Sequence, residues 1–496
     1  MVKYGPEILP NLICVCVDVE TLWPHSFETV DVLLRSNRLR AWRRSTAGSC
    51  RLLALIAICL GGCYAPEAAS GPDASLTTTL GVPLELFRTQ PIGATFSSPP
   101  KISHVQIVDL NQDGLKEVLL CDCENNQVCW VRQTADGKFI ETALVSNLSA
   151  PAHAECIDMD GDGDLDVLVA VLGMLFPNND KIGSVVALEN LGNQADGSSS
   201  DGSMVLEFRQ RVLLQDVARV SDVRAGDMDG DGKIDLVVTQ FGYNQGELRW
   251  MKNLGEWQFD SRILHERAGG INGVIADMNA DQHLDIVLLV SQEFEEVLIF
   301  SGDGRGGFTE ELIFAAGNED YGSSGLWVED LDLDGDPDIL FTNGDAYDYS
   351  PPHPWPWHGV QWLDNQSNGS YRYQRLAELG GAVCAQAVDF DADGDVDILA
   401  SSVFNSWDSP ESQSLILLEN MGDMHFRQHP LANTPTHIQS FALSDLDADG
   451  IIDLVSGGMH VSEPYDRVER LLLWKGILNN FASLPSGNKN SAKMAK

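Results

Sequence analysis

"DMDGDGDLD" occupies residues 158–166, with aspartate at positions 158, 160, 162, 164 and 166. Carboxylates at this density repel one another unless a cation sits among them or the segment stays fully solvated. The stretch recurs. "DLNQDGLKE" starts at Asp109, "DMDGDGKID" at Asp227, "DMNADQHLD" at Asp277, "DLDLDGDPD" at Asp330, "DFDADGDVD" at Asp389 and "DLDADGIID" at Asp445. The starts are 49, 69, 50, 53, 59 and 56 residues apart. A period near 50 residues is the signature of a repeat architecture, in which each copy is one supersecondary unit.

Every copy has the same surroundings. A short apolar run precedes it, as in "HVQIV" (104–108), and a β-branched run follows, as in "DIVLLV" (285–290). A third run ends at a turn ("LRWMKNLG", 248–255) and a fourth follows ("WQFDSRIL", 257–264). Runs of four to eight such residues bounded by Gly, Asn and Asp read as strands. Four strands in each of seven units predict an all-β fold, a seven-bladed β-propeller of four-stranded blades over residues 84–481. The last unit lacks a fourth strand of its own. "LELFRTQPIG" (84–93) matches the fourth-strand pattern. The N-terminal strand is therefore expected to complete the last blade and close the ring, which removes free sheet edges.

D-x-D-x-D-G-x-x-D resembles the calcium loops of FG-GAP and VCBS repeat proteins, including integrin α-chain propellers. The chemistry is consistent with that resemblance. Calcium takes six to eight oxygens, and glycine at the sixth position permits a sharp turn. The expected ligands are Asp158, Asp160, Asp162 and Asp166, with the carbonyl of Asp164; Asp227, Asp229, Asp231 and Asp235; Asp330, Asp332, Asp334 and Asp338; Asp389, Asp391, Asp393 and Asp397; and Asp445, Asp447, Asp449 and Asp453. Two copies depart from the pattern. One has Asp109, Asn111, Asp113 and Glu117; the other has Asp277, Asn279, Asp281 and Asp285, with Gln282 in place of the glycine. Five strong structural calcium sites are expected, with a weaker one at Asp109 and the weakest at Asp277.

The N-terminal region reads as an export signal. "RLRAWRRSTAGSCR" (38–51) is basic, "LLALIAICLGG" (52–62) is apolar, and Cys63 follows. The apolar run is too short to span a bilayer. "LGGC" (60–63) resembles the lipobox of bacterial lipoproteins, which implies lipidation at Cys63 and an envelope location. Residues 1–37 do not fit a signal and are read as unstructured, from a start called too early. Residues 64–83 read as a flexible tether and 482–496 as a disordered tail.

The formal net charge of −41 argues against a nucleic-acid partner, since phosphates would be repelled. Export makes disulfides possible. Cys121, Cys123, Cys129 and Cys156 lie close in sequence, and a Cys123–Cys129 bridge is one expectation.

Function is expected in the loops. Insertions between second and third strands occur at "LGMLFPNNDKIG" (172–183), "NGDAYDYSPPHPWPWHG" (343–359), "VFNSWDSPESQS" (403–414) and "GMHVSEPYDRVE" (458–469). All should emerge on the face opposite the acidic turns, and loops on a rigid scaffold are where binding resides. Tyr347, Tyr349, His353, Trp355, Trp357 and His358 are candidate contacts for a glycan or protein partner, or else a plug packed onto the propeller. A ring five residues before each motif holds His104, His153, Asp222, Asn272, Gly325, Cys384 and Ser440. It reads as a polar channel mouth. His104, His153, Asp222 and Cys384 are the acid–base or metal candidates if the protein is instead an enzyme. Propellers of similar repeat type occur in polysaccharide lyases, and others house quinone cofactors. No nucleophile-elbow, phosphate-loop, zinc-protease or dinucleotide motif is present. The first expectation is a monomeric, non-catalytic, calcium-stabilised propeller. The alternative is a lyase-like or cofactor-dependent enzyme.

Overall fold

The acidic nonamers are turns between the first two strands of seven antiparallel sheets in a computed structural model that describes residues 78–81, 84–134, 137–176, 178–194 and 205–477. The segments read as false start, signal with Cys63, and C-terminal tail lie outside the described residues. No described residue is helical.

The innermost strands are Ile102–Val108, Pro151–Ile157, Arg219–Gly226, Gly270–Ala276, Ser323–Glu329, Ala382–Val388 and Ile438–Ser444. Each packs beside the next around a ring, and the last packs on the first. Second strands such as Asp285–Val290 and Asp397–Ser402 are buried along their whole length, because both faces meet a neighbouring blade. This explains why they read as continuous apolar runs rather than alternating ones. Outer strands such as Phe308–Ala315 are mostly exposed.

Seven apolar clusters fill the seven gaps between blades. One joins Leu168, Val185 and Ala187 of blade two to Val220, Leu236 and Met251 of blade three. Another joins Val118, Val131 and Ile102 of blade one to Val455, Leu471 and Leu473 of blade seven. Ring closure is thus a core interface like the other six. The N-terminal strand Phe87–Pro91 completes blade seven as expected, pairing antiparallel with Leu471–Gly476 from Phe87↔Gly476 to Pro91↔Leu472. Arg470 reinforces the seam. Its Nη2 donates to Asp122 Oδ2 at 2.9 Å and its Nη1 to Glu141 Oε2 at 2.7 Å, both on blade one. Within the stretch read as a tether, Thr79–Leu80 form a short parallel fifth strand on Arg427–Gln428 of blade six.

All seven inner strands carry a bulge at one register position, for example between Ile102 and His104 and between Val220 and Asp222. Serine occupies the bulge in three blades and bridges forward. Ser103, Ser221 and Ser324 donate to the carbonyls of Pro151, Gly270 and Ala382 at 2.6, 3.0 and 2.7 Å.

The expected Cys123–Cys129 bridge does not form; Cys121, Cys123, Cys129, Cys156 and Cys384 are all free thiols. Cys129 pairs with Leu120 and faces the gap toward blade seven, whereas Cys121 faces blade two and Cys123 packs with Ala150 and Leu172. Strand pleating puts the two cysteines on opposite sides of one sheet.

Candidate functional site

The acidic turns are laced by their own backbone. The first aspartate accepts from the amides of the fifth and sixth residues: Asp330 Oδ1 from Asp334 N at 3.1 Å, and Oδ2 from Gly335 N at 3.0 Å. The ninth carboxylate is buried and ties the turn to two strands. Asp397 Oδ2 accepts from Phe390 N at 3.0 Å, and Oδ1 from Asn420 N at 2.7 Å. Glycine at the sixth position is left-handed, with φ of 97° at Gly163 and 101° at Gly335, and Gln282 is held at φ 70° in the same place.

Carboxylate oxygens converge within 4.8 Å in the sets Asp158–Asp160–Asp166, Asp227–Asp229–Asp235, Asp330–Asp332–Asp338, Asp389–Asp391–Asp397 and Asp109–Asp113–Glu117. In the first four sets the first, third and ninth positions meet. Asp162, Asp231, Asp334 and Asp393 each use Oδ1 to accept from the amide two residues on, as Asp162 does from Asp164 N at 2.9 Å. Burial and neighbouring negative charges push Asp166 and Asp338 up to about 7 and Asp397 up to about 8. A hard divalent cation would relieve that cost, and an all-oxygen donor set suits calcium.

The environments differ in a way the motif does not show. In blade three, Lys252 Nζ pairs with Asp229 and, at 3.1 Å, with Asp231. In blade seven, Lys475 Nζ pairs with Asp447 and lies 3.7 Å from Asp449. At the corresponding third-strand place, blades two, five and six carry Glu189, Asp364 and Glu419, which act on Asp160, Asp332 and Asp391 as further negative charges. Those three acids are paired outward, to Arg211, Arg372 and His429. An ammonium group therefore stands within two of the acidic turns and an extra carboxylate beside three.

The predicted ring assembles at the opposite end of the channel, where all of its members but the fully buried Asp222 line a cavity of about 320 Å3. The His104 and His153 rings lie with centroids 4.2 Å apart, inclined at 55°, and His153 Nδ1 lies 3.0 Å from Asp222 Oδ1. Several ring members reach the following blade, while Asn272 Nδ2 reaches back to Asp222 Oδ2 at 3.4 Å. His104 Nδ1 accepts from Ala154 N at 3.4 Å, Asp222 Oδ2 from Gly273 N at 3.1 Å, and Ser440 Oγ from Val105 N at 3.1 Å. Burial holds both histidines well below the usual imidazole range and pushes the Cys384 thiol up to about 12. The ring is a set of inter-blade pins, with Arg224 Nε donating to Asp222 at 3.2 Å.

The insertions converge above this cavity. Ala346, Val403, Phe404 and Met459 pack with Leu175, Tyr347 and Val461, joining blades two, five, six and seven. Tyr347 is drawn into that cluster, edge-on to Phe404 at 4.6 Å, with its hydroxyl donating to Gln439 at 2.8 Å. Tyr349, His353, Trp355 and Trp357 form a half-exposed aromatic cluster in which Trp355 and Trp357 stack at 5.0 Å and 6°. Trp357 Nε1 donates to Asp320 O at 2.8 Å and fixes the pair to the neighbouring loop. His358, expected with them at the surface, is buried and 1% exposed. Its Nδ1 accepts from Trp355 N and Gly381 N at 3.3 and 3.2 Å, so it holds the loop's base.

Sequence reasoning missed Lys252, Lys475, Arg470 and Arg219. Aligning the repeats puts Arg219 where blades four, five and six have Gly269, Gly322 and Gly381. The same position holds Lys101 in blade one and His437 in blade seven, so the alignment alone did not single out Arg219.

Against known proteins, the FG-GAP-like repeat matches residues 109–169, 227–288, 277–341 and 389–456. The chain carries FG-GAP-like repeats, arranged as a seven-bladed β-propeller. No curated protein matches it. Among solved structures, BBS1N in complex with ARL6DN is 8% identical, with a TM-score of 0.45 over 79% of this chain and 97% of that one. Rhamnogalacturonan lyase YesW is 16% identical, with a TM-score of 0.41 over 79% and 75%. A rhamnogalacturonan lyase of Bacillus licheniformis is 14% identical, with a TM-score of 0.39 over 76% and 72%.

Proposed function

We propose that the protein is a calcium-stabilised, non-catalytic binding propeller that engages a glycan through its insertion-bearing face. The observation that carries this reading is the stacked Trp355–Trp357 pair beside Tyr349 and His353. Flat aromatic faces on a proline-stiffened loop suit stacking on sugar rings and lose little conformational freedom on binding. The acidic turns at the other end would hold calcium and brace the strand connections, with no part in the chemistry of recognition.

The enzyme alternative needs groups free to move protons. His104 Nδ1 accepts from Ala154 N and His153 Nδ1 lies 3.0 Å from Asp222 Oδ1, so both imidazoles are engaged by the neighbouring blade, which favours binding over catalysis. The test is a glycan array probed with the wild-type protein and a Trp355→Ala/Trp357→Ala variant. Binding should fall by at least about tenfold in the variant, measured at a temperature where circular dichroism shows both proteins folded. Equal binding by both proteins would refute the assignment of the face.

We also read Cys63 as a lipid attachment point that places the propeller on a bacterial envelope. Cys63→Ser should move the expressed protein from the membrane fraction to the soluble one, and an unchanged distribution would count against the anchor.

A further inference from the structure

Arg219 opens the inner strand of blade three and forms part of the cavity wall beneath the insertions. It is 3% exposed. Its Nη1 donates to the carbonyls of Leu175 and Phe176, both at 3.1 Å, and its guanidinium lies 4.8 Å over the ring of Phe241. Nε and Nη2 have no partner among the described residues. These two nitrogens form one edge of the guanidinium, with parallel N–H bonds that match the two oxygens of a carboxylate. A buried charged group with two unmet donors is costly unless a ligand or water completes it.

The surroundings select the charge of that ligand. The other arginine of the cavity, Arg224, is already engaged by Asp222. Asp348 accepts from Tyr243 and, at 3.2 Å, from Gln292, and no carboxylate comes within ion-pair distance of Arg219 among the described residues. Asp345 and Asp348 line the same cavity and act on Arg219 as neighbouring negative charges without pairing with it, so the site offers one unpaired guanidinium edge. A doubly charged phosphate would find no second cation. The cavity, about 320 Å3, falls within the range of small-molecule pockets, which run from about 300 to 1,000 Å3. Its polar lining includes Asn272, Ser324 and Gln439, which suits hydroxyl groups.

We propose that this central cavity binds a carboxylate-bearing small molecule, a free acid or an acidic sugar unit, with the carboxylate seated on the Nε–Nη2 edge of Arg219. The site lies below the rim and does not depend on the aromatic cluster.

The test is calorimetric titration of the full chain with D-glucuronate, its neutral isostere D-glucuronamide, acetate and inorganic phosphate. Glucuronate should bind at least about tenfold more tightly than the amide or phosphate. Acetate matching glucuronate would assign the site to free acids, and weaker acetate would assign it to acidic sugars. Both results uphold the carboxylate. Arg219→Lys keeps the charge and loses the fork, and should weaken glucuronate binding about tenfold. Trp355→Ala/Trp357→Ala should leave it within about twofold, which separates this site from the glycan face. Equal binding of acid and amide, tighter binding of phosphate, no binding of either carboxylate, or an unaffected Arg219→Lys would each overturn the proposal. If Arg219→Lys fails to fold, the acid-against-amide comparison on the wild-type chain decides.

Discussion

Gln282 shows how one residue can weaken a repeat without breaking it. It holds a left-handed conformation, φ 70°, where six sister turns have glycine. A Cβ costs about 1 kcal/mol there, roughly what an L-residue pays in the left-handed region. Backbone bonds from Gln282 N to Asp277 Oδ2 at 2.8 Å and from Asp281 N to Asp277 Oδ1 at 3.1 Å keep the turn in place regardless. Gln282→Gly should therefore raise unfolding stability by up to about 1 kcal/mol, read from the midpoint of urea denaturation. A loss of stability would mean that the side chain makes a compensating contact. The glycine rule was legible from the aligned motifs. The second left-handed position was not: the fourth residue also has positive φ, as in Gln112, Leu333 and Ala392, and nothing in those side chains announces it.

The turns as elements are set apart by what stands beside them. Lys252 and Lys475 place an ammonium against the carboxylates of blades three and seven, whereas Glu189, Asp364 and Glu419 add negative charge beside blades two, five and six. Calcium should bind first to the turns at Asp158, Asp330 and Asp389, with dissociation constants on the order of 10⁻⁴–10⁻³ M. Titration of chelator-stripped protein against a calcium-sensitive dye should thus resolve about three sites, and Lys252→Met should add one. Five equivalent sites, or none, would refute the ranking. The motif alone predicted the converging acids, since spacing along one turn fixes them. It could not predict the lysines, which arrive from a strand more than twenty residues away in sequence.

For the whole molecule, periodicity made the seven blades and the closing strand readable in advance. A repeat that buries both faces must stack on copies of itself, and a blade short of one strand must take it from elsewhere. What periodicity hides is anything that occurs once. Arg470 is such a residue, a buried cation shared by Asp122 and Glu141 across the seam between the last blade and the first. Arg470→Met strands the buried Asp122 and the partly buried Glu141 and should cost about 3 kcal/mol in denaturant unfolding. Replacing all three as Arg470→Met/Asp122→Asn/Glu141→Gln should recover a large part, because the uncompensated charges are gone. An equal loss in both variants would show that packing, and not charge, holds the seam.

The pairing of Phe87–Pro91 with Leu471–Gly476 also sets a timetable. A chain emerging from its N-terminus exposes its first propeller strand hundreds of residues before that strand's partner exists. Six blades can be assembled while it waits, but the seventh cannot. Loop-closure entropy then makes this pairing late as well as long-range. A fragment that stops short of Leu471 has no partner for the waiting strand, so a closed circle is itself a certificate that synthesis ran past that point.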